Sequence, residues 1–211
     1  ASVLSGGSGS FAEFISANAN LIAKMPKKLS YVEAAALPLA GISAWQALVE
    51  HINLSKGKKI LIHGGGGGIG TFAIQIAKYL GAYVTTTVNI DNKQYVKELG
   101  ADEIIDYKKQ SFENLIKDYD AVFDTVGSET YKKSFKVLKK NGIIVSMLEQ
   151  PNAELIKKYG VHAIAQFTQV NNERLSKLAE LVNKHVIKVH VDKTFPLEQA
   201  GEALEYLQKG H

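Results

Sequence analysis

The sequence predicts an α/β chain built on a doubly wound, parallel, six-stranded sheet. Three observations predict it. Short apolar runs alternate with helical stretches, which is the signature of right-handed crossovers and a mostly parallel sheet. The runs are continuously apolar, not alternating, as expected of strands covered by helices on both faces. A glycine-rich turn joins the first clear run to the first strongly helical stretch.

The elements follow in order. Residues 59–63 (KILIH) read as a strand, and Gly64–Gly68, Ile69 and Gly70 as the turn that leaves it. Thr71–Leu80 is helical and stops at Gly81, a natural helix terminator. Residues 82–88 are rich in β-branched side chains and form the second strand. Asp91–Leu99 is a helix ended by Gly100, and Glu103–Ile105 a third strand. Ser111–Ile116 is helical with Ser111 as N-cap candidate. Asp120–Asp124 is the fourth strand, Ser128–Leu138 a helix, Gly142–Ser146 the fifth strand and His162–Phe167 the sixth. Asn171–Val182 and Leu197–Leu207 are helices. Ahead of this core, Phe11–Ile15 and Asn20–Met25 read as two short strands, and Tyr31–Ala40 and Ser43–His51 as helices with a corner at Pro38–Gly41.

Composition narrows the function classes. The chain has 211 residues, 45% hydrophobic and 22% charged, which suits a soluble chain with a real core. No run approaches the ~18 apolar residues that span a bilayer, so no membrane partner is expected. Residues 1–10 lack the basic start and apolar block of a signal peptide. There is no cysteine, hence no disulfide, thiolate metal site or cysteine nucleophile in this chain, and a cytoplasmic, reducing setting is expected. The balance of 25 basic against 21 acidic residues gives net +4, but the lysines are scattered and Arg174 is the sole arginine. Nucleic-acid recognition favours arginine forks, so no nucleic-acid partner is expected.

The glycine turn carries the chemistry. Gly65-x-Gly67-x-x-Gly70 matches the dinucleotide fingerprint, and Gly64-x-x-Gly67-x-x-Gly70 a related spacing. One glycine makes the tight turn, one lets a pyrophosphate reach the backbone, and one lets helix and strand pack closely. The helix N-terminus then offers free N–H groups to the phosphates. A flexible loop is the competing reading, but the strand before, helix after and second strand on schedule favour a cofactor site. About twenty residues on, an NAD site carries an acidic residue for the ribose 2′-hydroxyl. Here the strand ends Thr86-Thr87-Val88-Asn89, which cannot repel a 2′-phosphate, and Lys93 follows on the next helix to neutralise it. Asp91 counts the other way: it sits near the ribose or serves only as a helix-start charge. NADP(H) is the expected cofactor.

Several segments, in order, resemble the medium-chain dehydrogenase/reductase superfamily, most closely its zinc-independent quinone oxidoreductase (zeta-crystallin-like) branch. They are residues 9–14 (GSFAEF), 34–48 (AAALPLAGISAWQAL), Ile62-His63 with the glycine run, 99–107 (LGADEIIDY) and 123–127 (FDTVG). The resemblance implies a Rossmann dinucleotide-binding fold at 29–185, flanked by a remnant of a GroES-like β catalytic domain at 1–28 and a partial return to that domain at 186–211. It implies that most of the catalytic domain is lacking and that the chain stops before the family's usual final strand. Residues 5–10 are then natural sequence.

The resemblance also assigns roles. Gly67, Gly68, Ile69 and Gly70 match the positions whose backbone meets the pyrophosphate. Ser43 matches a cofactor contact near the nicotinamide, or else caps a helix. Lys93 matches the lysine of the 2′-phosphate. Tyr107 matches a tyrosine of the same pocket, or is an ordinary half-buried tyrosine. Val126 matches the loop on the nicotinamide side, and Phe167 and Thr168 the backbone that reaches the carboxamide, although Phe167 also suits plain core. Zinc-dependent relatives place a cysteine ligand where this chain has Leu39, and none of the histidines form an i, i+4 pair, so no catalytic zinc is expected. The implied reaction is metal-free hydride transfer from NADPH to a quinone or α,β-unsaturated carbonyl. No residue of this chain is assigned catalysis, since the family's polar residues over the nicotinamide belong to the portion it lacks. The alternatives are a nucleotide-binding, self-associating module without turnover, or a zinc-type alcohol dehydrogenase. The sixth strand is apolar and expected at a sheet edge, where pairing across a two-fold axis implies a homodimer.

Overall fold

The computed structural model describes residues 9–209. The chain divides into two compact units, residues 43–169 and residues 1–42 with 170–211. Unit 43–169 holds one sheet of six parallel strands: β1 (Lys59–His63), β2 (Tyr83–Val88), β3 (Glu103–Asp106), β4 (Tyr119–Asp124), β5 (Leu138–Ser146) and β6 (His162–Ala165). Their order is β3-β2-β1-β4-β5-β6, so the chain reverses direction across the sheet between β1 and β4. This is the expected doubly wound dinucleotide fold, and β6 is at the edge, as the sequence predicts.

The crossovers carry α3 (Gly68–Tyr79), α4 (Lys93–Glu98), α5 (Phe112–Leu115), α6 (Ser128–Ser134) and α7 (Ala153–Tyr159). Continuous apolar strands are buried as expected: Ile60, Leu61, Ile62, Ala121, Val122 and Phe123 expose nothing. Leu61, Val122 and Ile144 join Phe112, Tyr131 and Phe135 in one core cluster. At ~25 cal/mol per Å² of apolar surface, each such side chain contributes roughly 1.5–3 kcal/mol.

In the other unit, α1 (Tyr31–Ala36) begins with a capping box, Ser30 Oγ accepting from Glu33 N–H and Glu33 accepting from Ser30 N–H. α2 (Pro38–Trp45) starts here and runs on into the sheet unit. The amphipathic α8 (Asn172–Asn183) buries Leu175, Leu178, Leu181 and Val182, and α9 (Ala200–Gln208) follows. No helix among the described residues is long and apolar enough to cross a membrane.

Several expectations are corrected. Residues 11–15 and 20–25 form no strand; they are irregular, with a 3₁₀ turn at Ala19–Leu21. A strand needs a partner to satisfy its backbone, and none lies beside them among the described residues. The corner at Pro38–Gly41 does not exist. Pro38 opens α2, where its missing N–H costs nothing, and Gly41 lies within it. A Cβ on Gly41 would come within 2.9 Å of a Leu178 methyl, so glycine there serves packing, not a turn. The helix from Ser128 ends at Ser134, and β5 starts earlier than expected, at Leu138, paired to Tyr119 before a register shift.

Candidate nucleotide site

All six strands are parallel, so their carboxyl ends share one edge of the sheet. His63 stands beside Thr87, Val88 beside Asp106, and Asp124 beside Ser146, which stands beside Ala165. Ligands of such sheets bind at this edge, where the strand order reverses. The expected site residues leave from it: the glycine turn after β1, Asn89 and Lys93 after β2, Tyr107 after β3, Val126 after β4, and Phe167 and Thr168 after β6.

The glycine turn is shaped for close approach. A Cβ on Gly70 would stand 2.1 Å from Gly64 O and 2.7 Å from Gly65 Cα, so only glycine lets the helix start pack under the turn. Gly68 is the reverse case: a Cβ there meets nothing within 4 Å. The first bond into α3 runs from Thr71 N–H to Gly67 O, and Gly67 has no side chain to cap the helix. The N–H groups of Gly68, Ile69 and Gly70 therefore begin the helix without intrahelical partners. Gly67 and Gly68 are exposed, Ile69 is half-buried and Gly70 is buried. An exposed, open backbone over a closed glycine contact fits a pyrophosphate, which binds to N–H groups and to the positive end of the helix dipole.

Around this turn, two buried polar groups are fully used. His63 exposes nothing; Ser134 Oγ already donates to Thr130 O, so it accepts from His63 Nε2–H at 2.9 Å, and Thr87 Oγ1 donates to Nδ1 at 2.9 Å. Burial holds the imidazole down to about 4, against a smaller raising pull from Asp124 and Glu113. His63 is neutral and structural. Asp124 is also buried; it accepts from Ser146 Oγ at 2.8 Å and from the N–H groups of Val126 and Gly127 at 3.1 and 3.0 Å. Ser146 Oγ in turn accepts from Leu148 and Glu149 N–H. Glu149 completes the link by accepting from Ser128 N–H at 2.6 Å. The loops after β4 and β5 are thus tied together, and their tips present Val126 and Leu148, 49% and 63% exposed.

The remaining predicted residues divide. Lys93, the first residue of α4, is exposed and has no partner among the described residues, and Asn89 donates to Asp91 Oδ2 at 2.9 Å. Tyr107 is 57% exposed; Phe167 is 80% exposed, which overturns its plain-core reading. Ser43 is fully buried inside α2, bonded at 2.7 Å to Thr168 Oγ1; it caps nothing, and its hydroxyl faces protein. Sequence reasoning missed Gln46, Gln166, Asp124, Ser146 and Leu148. The FDTVG segment was visible, but the burial of its Asp was not.

Comparison with known proteins places the chain. The model of the zinc-binding dehydrogenase family matches residues 99–211, more than half of the chain. The chain belongs to that family. Within the medium-chain dehydrogenase/reductase superfamily it falls in the quinone oxidoreductase branch. It is 33% identical to the mitochondrial NAD(P)H oxidoreductase RTN4IP1 of Mus musculus, over 96% of this chain and 59% of that protein. The quinone oxidoreductase structure from Coxiella burnetii superposes with a TM-score of 0.81 at 36% identity, covering 88% of this chain and 59% of that one. The Escherichia coli quinone oxidoreductase complexed with NADPH gives 0.80 at 27% identity, covering 89% and 64%. The chain therefore spans about 60% of the length of these relatives. As for the metal in the family's description, among the described residues no group of three or more His, Cys, Asp or Glu side chains is placed to hold an ion.

Proposed function

We propose that this zinc-binding dehydrogenase family member is the nucleotide-binding part of an NADP(H)-dependent oxidoreductase that reduces a quinone or an α,β-unsaturated carbonyl without a metal. The observation that carries the reading is the turn at Gly67–Gly70, closed beneath at Gly70 and open above at Gly68. The NADPH complex of the Escherichia coli relative supports the choice of nucleotide, as do the unpaired Lys93 and the neutral Asn89 at the end of β2. When bound, a reduced nicotinamide supplies the hydride.

This chain's residues do the rest by placement. The N–H groups of Gly68, Ile69 and Gly70 would hold the pyrophosphate. Lys93 would pair with the 2′-phosphate and Tyr107 pack beside the adenosine ribose. Val126, Leu148 and Phe167 present apolar side chains along the exits of β4, β5 and β6, where they would keep water from the nicotinamide end. The anion left on the acceptor is one that solvent can protonate, so no acid in this chain is required. Leu39, where zinc-dependent relatives carry a cysteine, supports the metal-free form, because leucine cannot ligate. The test is turnover: a full-length form should oxidise NADPH when given a simple quinone or enone. NADPH binding without oxidation by either acceptor would overturn the enzyme reading in favour of a binding module.

A further inference from the structure

We propose that Gln46 is a positioning residue for the nicotinamide end of the cofactor: its side-chain amide holds the backbone on both sides of Thr168. The proposal rests on the nucleotide reading above.

β6 ends at Ala165, and the last backbone bond that continues the sheet runs from Gln166 N–H to Ser146 O at 2.8 Å. Beyond it the chain is tied to one helical stretch. Gln166 Nε2 donates to Ser43 O at 2.9 Å, and Thr168 Oγ1 is bonded to Ser43 Oγ at 2.7 Å. One turn on, Gln46 uses both ends of its amide. Oε1 accepts from Gln169 N–H at 3.0 Å, and Nε2 donates to Phe167 O at 3.4 Å. Gln166, Thr168 and Gln46 are 6%, 6% and 5% exposed, while Phe167 between its two buried neighbours is 80% exposed. An aromatic ring is thus fixed outward by anchors on either side, the opposite of what burial of apolar surface alone would produce.

A second feature of the same stretch points to the same residue. Directly after α2 the chain widens into a π-helical turn at Gln46–His51, with Ile52 N–H donating to Ala47 O. Such turns are rare and recur at functional sites. This one starts at the residue that holds the loop, and it brings His51 Nε2 to 3.4 Å from the Gln46 amide nitrogen. A carbonyl oxygen has two lone pairs. Gln46 engages one on Phe167 O, and the other is left for an amide donor such as a carboxamide.

Two variants and two nucleotides test this on the chain as it stands. Gln46→Glu keeps the acceptor for Gln169 N–H but removes the donor to Phe167 O; Gln46→Met keeps the volume and removes both. Affinity is measured for NADPH and for 2′-phospho-ADP-ribose, which lacks the nicotinamide. Both variants should weaken NADPH by about tenfold, the loss of one ordinary hydrogen bond, and leave 2′-phospho-ADP-ribose unchanged. Should either variant misfold, Thr168→Val, which cuts the neighbouring anchor, should give the same split. Equal weakening of both nucleotides, or no change in either, overturns the assignment and leaves a structural clamp. Failure of the unsubstituted chain to bind 2′-phospho-ADP-ribose would instead sink the nucleotide reading, and this inference with it.

Discussion

Gly68 and Gly70 are two residues apart and make opposite predictions. Gly70→Ala puts a methyl group against the backbone of Gly64 and Gly65, so the turn must open, and both stability and nucleotide binding should fall. Gly68→Ala meets open space at the start of a helix, so the thermal midpoint should hold. If a pyrophosphate lies on that face, the same methyl blocks it, and NADPH affinity should drop by about tenfold or more, roughly 1.4 kcal/mol. Calorimetry and a binding titration on the two variants check both halves. His63 makes a separate prediction about pH. Its folded value is held near 4 against an ordinary 6.5. The unfolded chain therefore binds the proton first, and stability is full above about 6.5 and lost as pH falls toward about 4. The loss amounts to about 3 kcal/mol at 1.36 kcal/mol per pH unit. Denaturant titrations at pH 7 and pH 5 should show this fall in the parent chain and a shallower one in His63→Gln.

Asp124 and Ser146 show how two strand ends become one platform. Ser146→Ala removes the hydroxyl donor to a buried carboxylate and the acceptor for two loop N–H groups. A bond to a charged group of this kind contributes about 1.5–3 kcal/mol, so the denaturation midpoint should fall accordingly. The same strands explain what was legible in the sequence. β1, β2, β3 and β4 were found to within a residue because each is a short run of apolar or β-branched side chains between helices. β5 was found only from Gly142, since Lys139-Lys140-Asn141, which follow its first residue Leu138, are polar and exposed and break the apolar signal. α7 was missed although Leu155, Ile156 and Tyr159 pack half-buried against the core: seven residues make barely two turns, too short a stretch for the spacing to stand out. The proposed site positions rest on glycine spacing and strand ends, both of which are visible in the sequence. Gln46 and Gln166 could not, because their partners lie more than a hundred residues away and an isolated glutamine has no pattern.

The sheet unit of this zinc-binding dehydrogenase family chain ends in an open strand. β6 pairs with β5 on one side, and Ala163, Ile164 and Ala165 are half-buried at the edge of the sheet. An apolar edge of this kind pairs or aggregates unless covered. The expected result is a homodimer joined through β6, seen by light scattering at micromolar concentration, and broken by His162→Pro or Ile164→Lys. A monomer of the parent chain under those conditions contradicts it. The proposed function requires a nucleotide at the carboxyl edge of the sheet, with its 2′-phosphate against Lys93. The most direct measurement is a calorimetric titration of the chain with NADPH and with NADH, repeated on Lys93→Ala. Both should bind, NADPH more tightly by roughly tenfold or more, the increment of one charge-assisted hydrogen bond, with that advantage lost in the variant. No heat from either nucleotide, or an NADPH preference that Lys93→Ala leaves intact, would contradict it.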